Sequence, residues 1–153
     1  PNTGFGVLIC YESIFPQLSR TYRKNGAEFL VNITNDAWFG RQHPWWSQTS
    51  ALFQHPAHLV MRAIENRVGI ARAANTGISL FVDPRGRVSQ ATPLFQPETR
   101  VGTVETTDGL TLYSRTGDWP GWLCALASVL ALLAVWRHGR RAASAGTLGG
   151  KKG

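Results

Sequence analysis

Apolar residues along the first hundred positions fall into short runs with two different periods, separated by polar stretches rich in glycine and proline. Residues 6–10 (GVLIC) and 29–33 (FLVNI) are five-residue apolar runs with β-branched members, the length and make-up of buried strands. Between them Ile14, Phe15, Leu18 and Tyr22 recur at helical spacing, which predicts a helix over 14–25 with Gly26 as its stop. Strand, helix and strand in about thirty residues form a βαβ-like unit. Residues 34–47, rich in Trp, Asn, Asp, Gly and Pro, read as a loop. Leu59, Val60, Ala63 and Ile64 give the apolar side of a second helix over 57–67, with Pro56 at or near its first turn and Met61 in the core. Residues 70–74 and 78–82 read as strands around the turn Asn75-Thr76-Gly77. Asp83-Pro84-Arg85-Gly86 is a turn signal leading to a strand near 87–90, and 101–104 is expected to be one more strand. The pattern is that of an α/β fold without internal repeats.

Residues 119–136 (WPGWLCALASVLALLAVW) then run eighteen positions without a charge. At about 1.5 Å per residue this reaches roughly 27 Å, close to the thickness of a bilayer core. Trp119, Trp122 and Trp136 stand near its ends, where interfacial aromatics belong, and Arg137, Arg140 and Arg141 follow directly. A buried core helix is the bland alternative, but such helices rarely run this long with one Ser as their sole polar residue. The basic flank predicts a cytoplasmic C-terminus and an outward-facing globular part. The expected organisation is a globular part over 1–114, a transmembrane helix with its flanks over 115–137, and a basic, Gly-rich, disordered tail over 138–153.

Charge and composition narrow the function. The net charge is +7, yet positions 1–118 hold eleven Lys/Arg against all nine acids, and positions 137–153 hold five Lys/Arg and no acid. The excess sits beside the apolar segment, which suits a membrane flank and argues against a nucleic-acid partner. The two cysteines, Cys10 and Cys124, lie in different environments, so neither a disulfide nor a zinc cluster is expected. No GxGxxG follows a strand and no Cys/His cluster has ligand spacing, so no metal or cofactor is expected. The chain opens on Pro1, without an initiator Met or a signal-type stretch, and enters a strand-like run almost at once; it is expected to be a piece of a longer protein.

Cys10 closes a strand just before a helix, the position of a nucleophile elbow, where a sharp turn lifts the side chain from the sheet. The backbone N–H of Tyr11 can then help bind an oxyanion, and the thiol can act once ionised. Taken alone, a Cys ending a strand is more often inert core. His43, His55 and His58 offer a Cys/His alternative, but no spacing places one beside Cys10, and histidines in a loop and at a helix start are expected to be solvated. Arg62 and Glu65, spaced i, i+3, are expected to pair as structural groups.

An ordered series of segments sharpens this: Ile9-Cys10-Tyr11-Glu12, Asn35-Asp36-Ala37-Trp38-Phe39-Gly40, Arg62-Ala63-Ile64-Glu65-Asn66-Arg67, Arg72-Ala73-Ala74-Asn75-Thr76-Gly77 and Asp83-Pro84-Arg85-Gly86. The series resembles the nitrilase superfamily, and with Arg115–Pro120 (RTGDWP) leading into a terminal helix it resembles the apolipoprotein N-acyltransferase branch, over about residues 4–141. The resemblance implies that 1–114 is the C-terminal half of a nitrilase-like catalytic domain, part of an αββα sandwich, followed by one membrane helix. It implies that Cys10 takes an acyl chain from a phospholipid donor as a thioester and passes it to a diacylglyceryl-apolipoprotein acceptor, at a bacterial inner membrane, with the catalytic domain on the periplasmic side of a multi-pass protein. Glu12 matches a family carboxylate near the nucleophile, or else serves the helix dipole. Tyr11 supports the active site or fills core. Trp38 and Phe39 line the acyl chain's path or anchor their loop, and Asn35 stands with them as a substrate-binding candidate, although Asn35 and Asp36 also suit a turn. The family's triad is Glu, Lys and Cys in chain order, and no Glu or Lys precedes Cys10; Lys24, Lys151 and Lys152 match no triad position. The chain as it stands is therefore expected to be inactive. Two other readings stay open: a membrane-anchored carbon–nitrogen hydrolase, in which water resolves the acyl-enzyme, and a binding module with a dead Cys. The connection of about fourteen residues from Glu105 to Trp119 also predicts a domain held close to the bilayer.

Overall fold

Three parallel strands, β1 (Phe5–Ile9), β2 (Phe29–Asn35) and β3 (Gly69–Asn75), lie side by side, and β4 (Leu80–Val82) and β5 (Val88–Ser89) add to β3 in antiparallel fashion. The crossovers carry helices α1 (Pro16–Lys24) and α2 (Ala51–Asn66), as parallel neighbours require. The computed structural model describes residues 3–148. The chain divides into two units, Pro1–Gly117 and Asp118–Gly153.

One face of the sheet makes the core of the first unit. Leu8, Leu30, Ile70, Leu80 and Val82 pack with Leu59 and Ala63 of α2 and with Val68 and Ala27. Alternation puts the remaining strand residues on the opposite face, where Phe5, Ile9 and Ile33 stay more than half exposed and Phe5 stacks on Phe29. The sheet thus has one covered and one uncovered apolar face, which is one sheet and one helical layer of the expected αββα arrangement. The covered face also changes character along the strands. In the row that joins Leu8, Asn32, Arg72 and Leu80 in register, the two central residues are polar and buried.

Several expected boundaries move. Cys10–Ile14 is a separate 3-10 turn, because Pro16 forces Phe15 into extended backbone and α1 starts afresh there. The second helix begins at Ala51, not 57, and holds Pro56 in its interior. Its buried face is Leu52, His55, Leu59, Arg62, Ala63 and Asn66, so Met61 and Ile64, expected in the core, are about half exposed. The strand expected over 78–82 shortens to Leu80–Val82 because the Ser79 amide donates to the Thr92 hydroxyl (2.9 Å). Residues 101–104 form no strand: the segment leads past Gly69, whose strand already pairs on both edges. Arg62 and Glu65 pair at 2.9 Å as their spacing implies. Buried Arg23 donates to the carbonyls of Ala27, Thr107 and Gly109, and Arg20 to those of Ser114 and Arg115, which ties the last stretch and α3 (Leu112–Thr116) to α1.

The second unit is one helix, α4 (Trp119–Leu148), of which Trp119–His138 is long and apolar enough to cross a membrane. The helix passes the expected boundary at 137, since Arg and Ala in the following segment are strong helix formers. The guanidinium of Arg140 lies 4.6 Å from the centre of the Trp136 ring. The disorder expected further on falls, for 149–153, outside the described residues.

The covered and uncovered sides of the sheet should respond differently to truncation, with Leu59 of α2 packed on the covered side. Leu59→Ala is expected to cost about 2–5 kcal/mol, whereas Ile33→Ala should cost less than about 1 kcal/mol, both read by denaturant unfolding of this chain; equal losses would contradict the layer assignment.

Candidate active site around Cys10

β1 delivers Cys10 to the carboxyl end of the parallel strands with a φ of +50°. That left-handed conformation in a residue with a Cβ costs about 1–3 kcal/mol and persists only where the surroundings hold it. The surroundings do so through the turn and through the carbonyl. Glu12 Oε2 accepts the N–H of Ile9 at 2.7 Å, closing the turn from its third position. The carbonyl oxygen of Cys10 meets three side chains: Ser13 Oγ at 3.2 Å, Asn32 Nδ2 at 3.4 Å and His55 Nε2 at 3.1 Å. Asn32 Nδ2 also donates to Leu8 O at 2.9 Å. The thiol itself is free and half-buried.

Behind these groups lies a buried ionic network. Asp36, fully buried, holds His55 Nδ1 at 2.9 Å and the Thr34 hydroxyl at 3.1 Å through Oδ1, and Arg72 at 2.5 Å through Oδ2. Arg72 also donates to Asn32 Oδ1 at 2.5 Å and to Ile78 O at 3.0 Å. Burial alone would raise the Asp36 carboxyl, but the His55 hydrogen bond, the Arg72 charge and the Thr34 hydroxyl together hold it below its ordinary range. Burial lowers the Arg72 guanidinium, with Asp36 acting against that shift. A charge this deep is tolerated because it is paired and fully hydrogen-bonded. Gly77 closes the network from above: a Cβ there would collide with the Asp36 carboxylate.

An aromatic shell surrounds the turn. Ring centres of Tyr11 and His55 lie 6.1 Å apart, Tyr11 and Phe39 6.4 Å, Phe39 and His55 5.3 Å, and Tyr11 and Phe15 6.3 Å. Cys10, Tyr11, Glu12 and Phe39 are therefore brought together. Trp38 is not among them: it is 85 % exposed on its loop. Asn35 acts within its own turn, accepting the Ala37 N–H at 3.1 Å and a bond from Asn75 Nδ2 at 3.4 Å. The sequence pattern missed Asp36, His55 and Arg72 as site residues. His43 and His58 are exposed as expected, but His55 is buried against Cys10, which corrects its reading as solvated. The signal was the spacing Leu52, His55, Leu59, Arg62, Asn66, hidden by starting the helix after Pro56. A cavity of about 480 Å³ opens at the ends of β2 and β3, lined among others by Gly40, Arg41, Asn75, Gly77 and Glu98. Among the described residues no three His, Cys, Asp or Glu side chains are grouped to hold a metal ion.

Residues 2–108 match the family described as carbon-nitrogen hydrolase. The chain is 50 % identical over 133 residues to an apolipoprotein N-acyltransferase from Geobacter metallireducens, covering 86 % of this chain and 24 % of the relative. It is 40 % identical over 131 residues to the apolipoprotein N-acyltransferase of Chlorobaculum tepidum, covering 85 % and 23 %. It thus spans about a quarter of the length of the curated relatives it matches. Among solved structures, the C. elegans NitFhit protein is 31 % identical with a TM-score of 0.48, over 59 % of this chain and 22 % of that one. With its matched stretch running from β1 through all five strands, the chain belongs to the carbon-nitrogen hydrolase family.

Proposed function

We propose that this chain carries the nucleophile of an apolipoprotein N-acyltransferase. The observation that carries the reading is the place of Cys10: a thiol on a strained strand-to-turn corner, inside a stretch shared with relatives that bear the acyltransferase name. In the proposed reaction the Cys10 sulfur attacks the ester carbonyl of a phospholipid. The C–O bond breaks, a lysophospholipid leaves with the proton, and a thioester remains. The α-amino group of a diacylglyceryl-cysteine then attacks that thioester, the C–S bond breaks, an amide forms, and the thiol recovers its proton. The Tyr11 N–H serves the oxyanion in both steps. Glu12 orients the turn that carries both groups, Tyr11 and Phe39 give the turn its aromatic surroundings, and Trp38 offers an exposed apolar surface to the acyl chain. Asn35 contributes by shaping the loop that presents Trp38 and Phe39. The triad's Glu and Lys have no matching position in this chain, so the chain alone is expected to lack activity.

The apolar helix supports the acyltransferase over a soluble hydrolase, since a long-chain donor resides in a bilayer. The run Arg137, Arg140, Arg141 supports a cytoplasmic C-terminus and a periplasmic catalytic unit at the inner membrane.

Two measurements on the complete enzyme follow. Cys10→Ala should abolish transfer of labelled acyl chains to a diacylglyceryl-peptide, while Cys124→Ala should keep it, since a small apolar residue serves equally well in the helix; survival of Cys10→Ala would overturn the assignment. A fluorescent protein fused after Gly153 should fluoresce and an alkaline phosphatase fused there should be inactive, with the opposite pair contradicting the orientation.

A further inference from the structure

We propose that Asp36 and His55 are positioning residues for the nucleophile: His55 grips the Cys10 carbonyl, Asp36 holds His55, and together they aim both the thiol and the Tyr11 N–H. This rests on the acyl-transfer reading above. The Cys10 carbonyl and the Tyr11 N–H belong to one planar trans peptide, in which C=O and N–H point in opposite directions. Anchoring the oxygen on the buried side therefore turns the N–H away from the core, toward the side on which an oxyanion can be received. The same anchor holds the left-handed φ of Cys10, and with it the direction of the Cα–Cβ bond that bears the sulfur.

The anchor is built for rigidity. His55 is 2 % exposed and sits on α2, while Asp36 follows β2 and Arg72 lies in β3, so three elements back one peptide through the chain Arg72, Asp36 and His55. The imidazole lies between Asp36 and the Cys10 carbonyl, with Nδ1 2.9 Å from Asp36 Oδ1 and Nε2 3.1 Å from the carbonyl oxygen. Arg72 lies 3.4 Å from Nδ1 but directs its stronger contact to Asp36 Oδ2. Ser13 and Asn32 complete the grip. A core histidine that merely filled space would not need its second nitrogen on the nucleophile's own backbone.

The test uses the complete enzyme in detergent or liposomes, with variants His55→Asn, His55→Gln and Ser13→Ala. Asparagine can keep the Asp36 contact but is too short to reach the Cys10 carbonyl; the glutamine amide nitrogen can reach the place of Nε2. Two rates are measured: alkylation of Cys10 by iodoacetamide without lipid, read from the Cys10 peptide by mass spectrometry, and acyl-enzyme formation in a single turnover at saturating phospholipid. A misplacement of about 1 Å can slow a reaction about a hundredfold. His55→Asn is thus expected to slow acylation by about that factor with the phospholipid KM unchanged, and His55→Gln to recover about tenfold of it. Ser13→Ala, which removes one grip with little packing change, should slow both rates a few-fold. Equal rates for His55→Asn and the parent overturn the proposal, as do equal losses in His55→Asn and His55→Gln. Should both His55 variants fail to fold, an unchanged rate in Ser13→Ala overturns it. If the parent alkylates but never acylates, the acyl-transfer reading fails instead, and the alkylation rates still decide the positioning role.

Discussion

A carbonyl oxygen turned inward, against a buried imidazole that a buried carboxylate holds in turn, is the constraint around which this structure is arranged. Cys10 occupies backbone that a side-chain-bearing residue avoids, and its neighbours keep it there. The cost is met by Ser13, Asn32 and His55 on one oxygen, and by Asp36 and Arg72 holding two of those three in turn. Each member depends on a different element. The register of β2 with β3 sets Asn32 beside Arg72, α2 brings His55, and the turn after β3 brings Gly77 onto Asp36. A change in the register of β2 with β3 would leave the Asp36 and Arg72 charges buried without each other, the most damaging kind of local failure.

The sheet explains why such a network can exist next to Cys10. Its covered face is apolar from Leu30 to Ile70 and Val82, then polar at Asn32, Thr34 and Arg72, where the parallel strands end. Low dielectric from the apolar part strengthens the ionic part. The other face carries Phe5, Ile9 and Ile33 in contact with solvent, an apolar layer of the kind that sandwich folds bury. Family membership rests on this stretch of sheet and turns, while the chain covers only a quarter of its curated relatives.

Much of this was readable from residue pattern. Runs such as Val7-Leu8-Ile9 and Phe29-Leu30-Val31 place the central strands, the place of Cys10 at a strand-to-turn corner is legible, and the uncharged stretch from Trp119 gives the long helix. What escaped has a physical cause in each case. Pro56 looked like a helix start because its missing N–H is cheapest there, yet it sits inside α2, and cutting the helix at that point hid His55 from the buried face. Asp36 looked like a turn residue because its partners, His55 and Arg72, are nineteen and thirty-six positions away. Residues 101–104 have the composition of a strand, but the neighbouring edges of β3 are taken.

The central claim is that Cys10 is the atom on which an acyl chain rides. The most direct measurement incubates the complete enzyme with phospholipid and no acceptor, quenches in acid to preserve thioesters, and determines the mass of the peptide containing Cys10. A gain equal to one fatty acyl group on that peptide, removed by neutral hydroxylamine, is the predicted result. An unmodified Cys10 peptide beside released fatty acid, or an acyl group on Cys124 alone, would contradict the account.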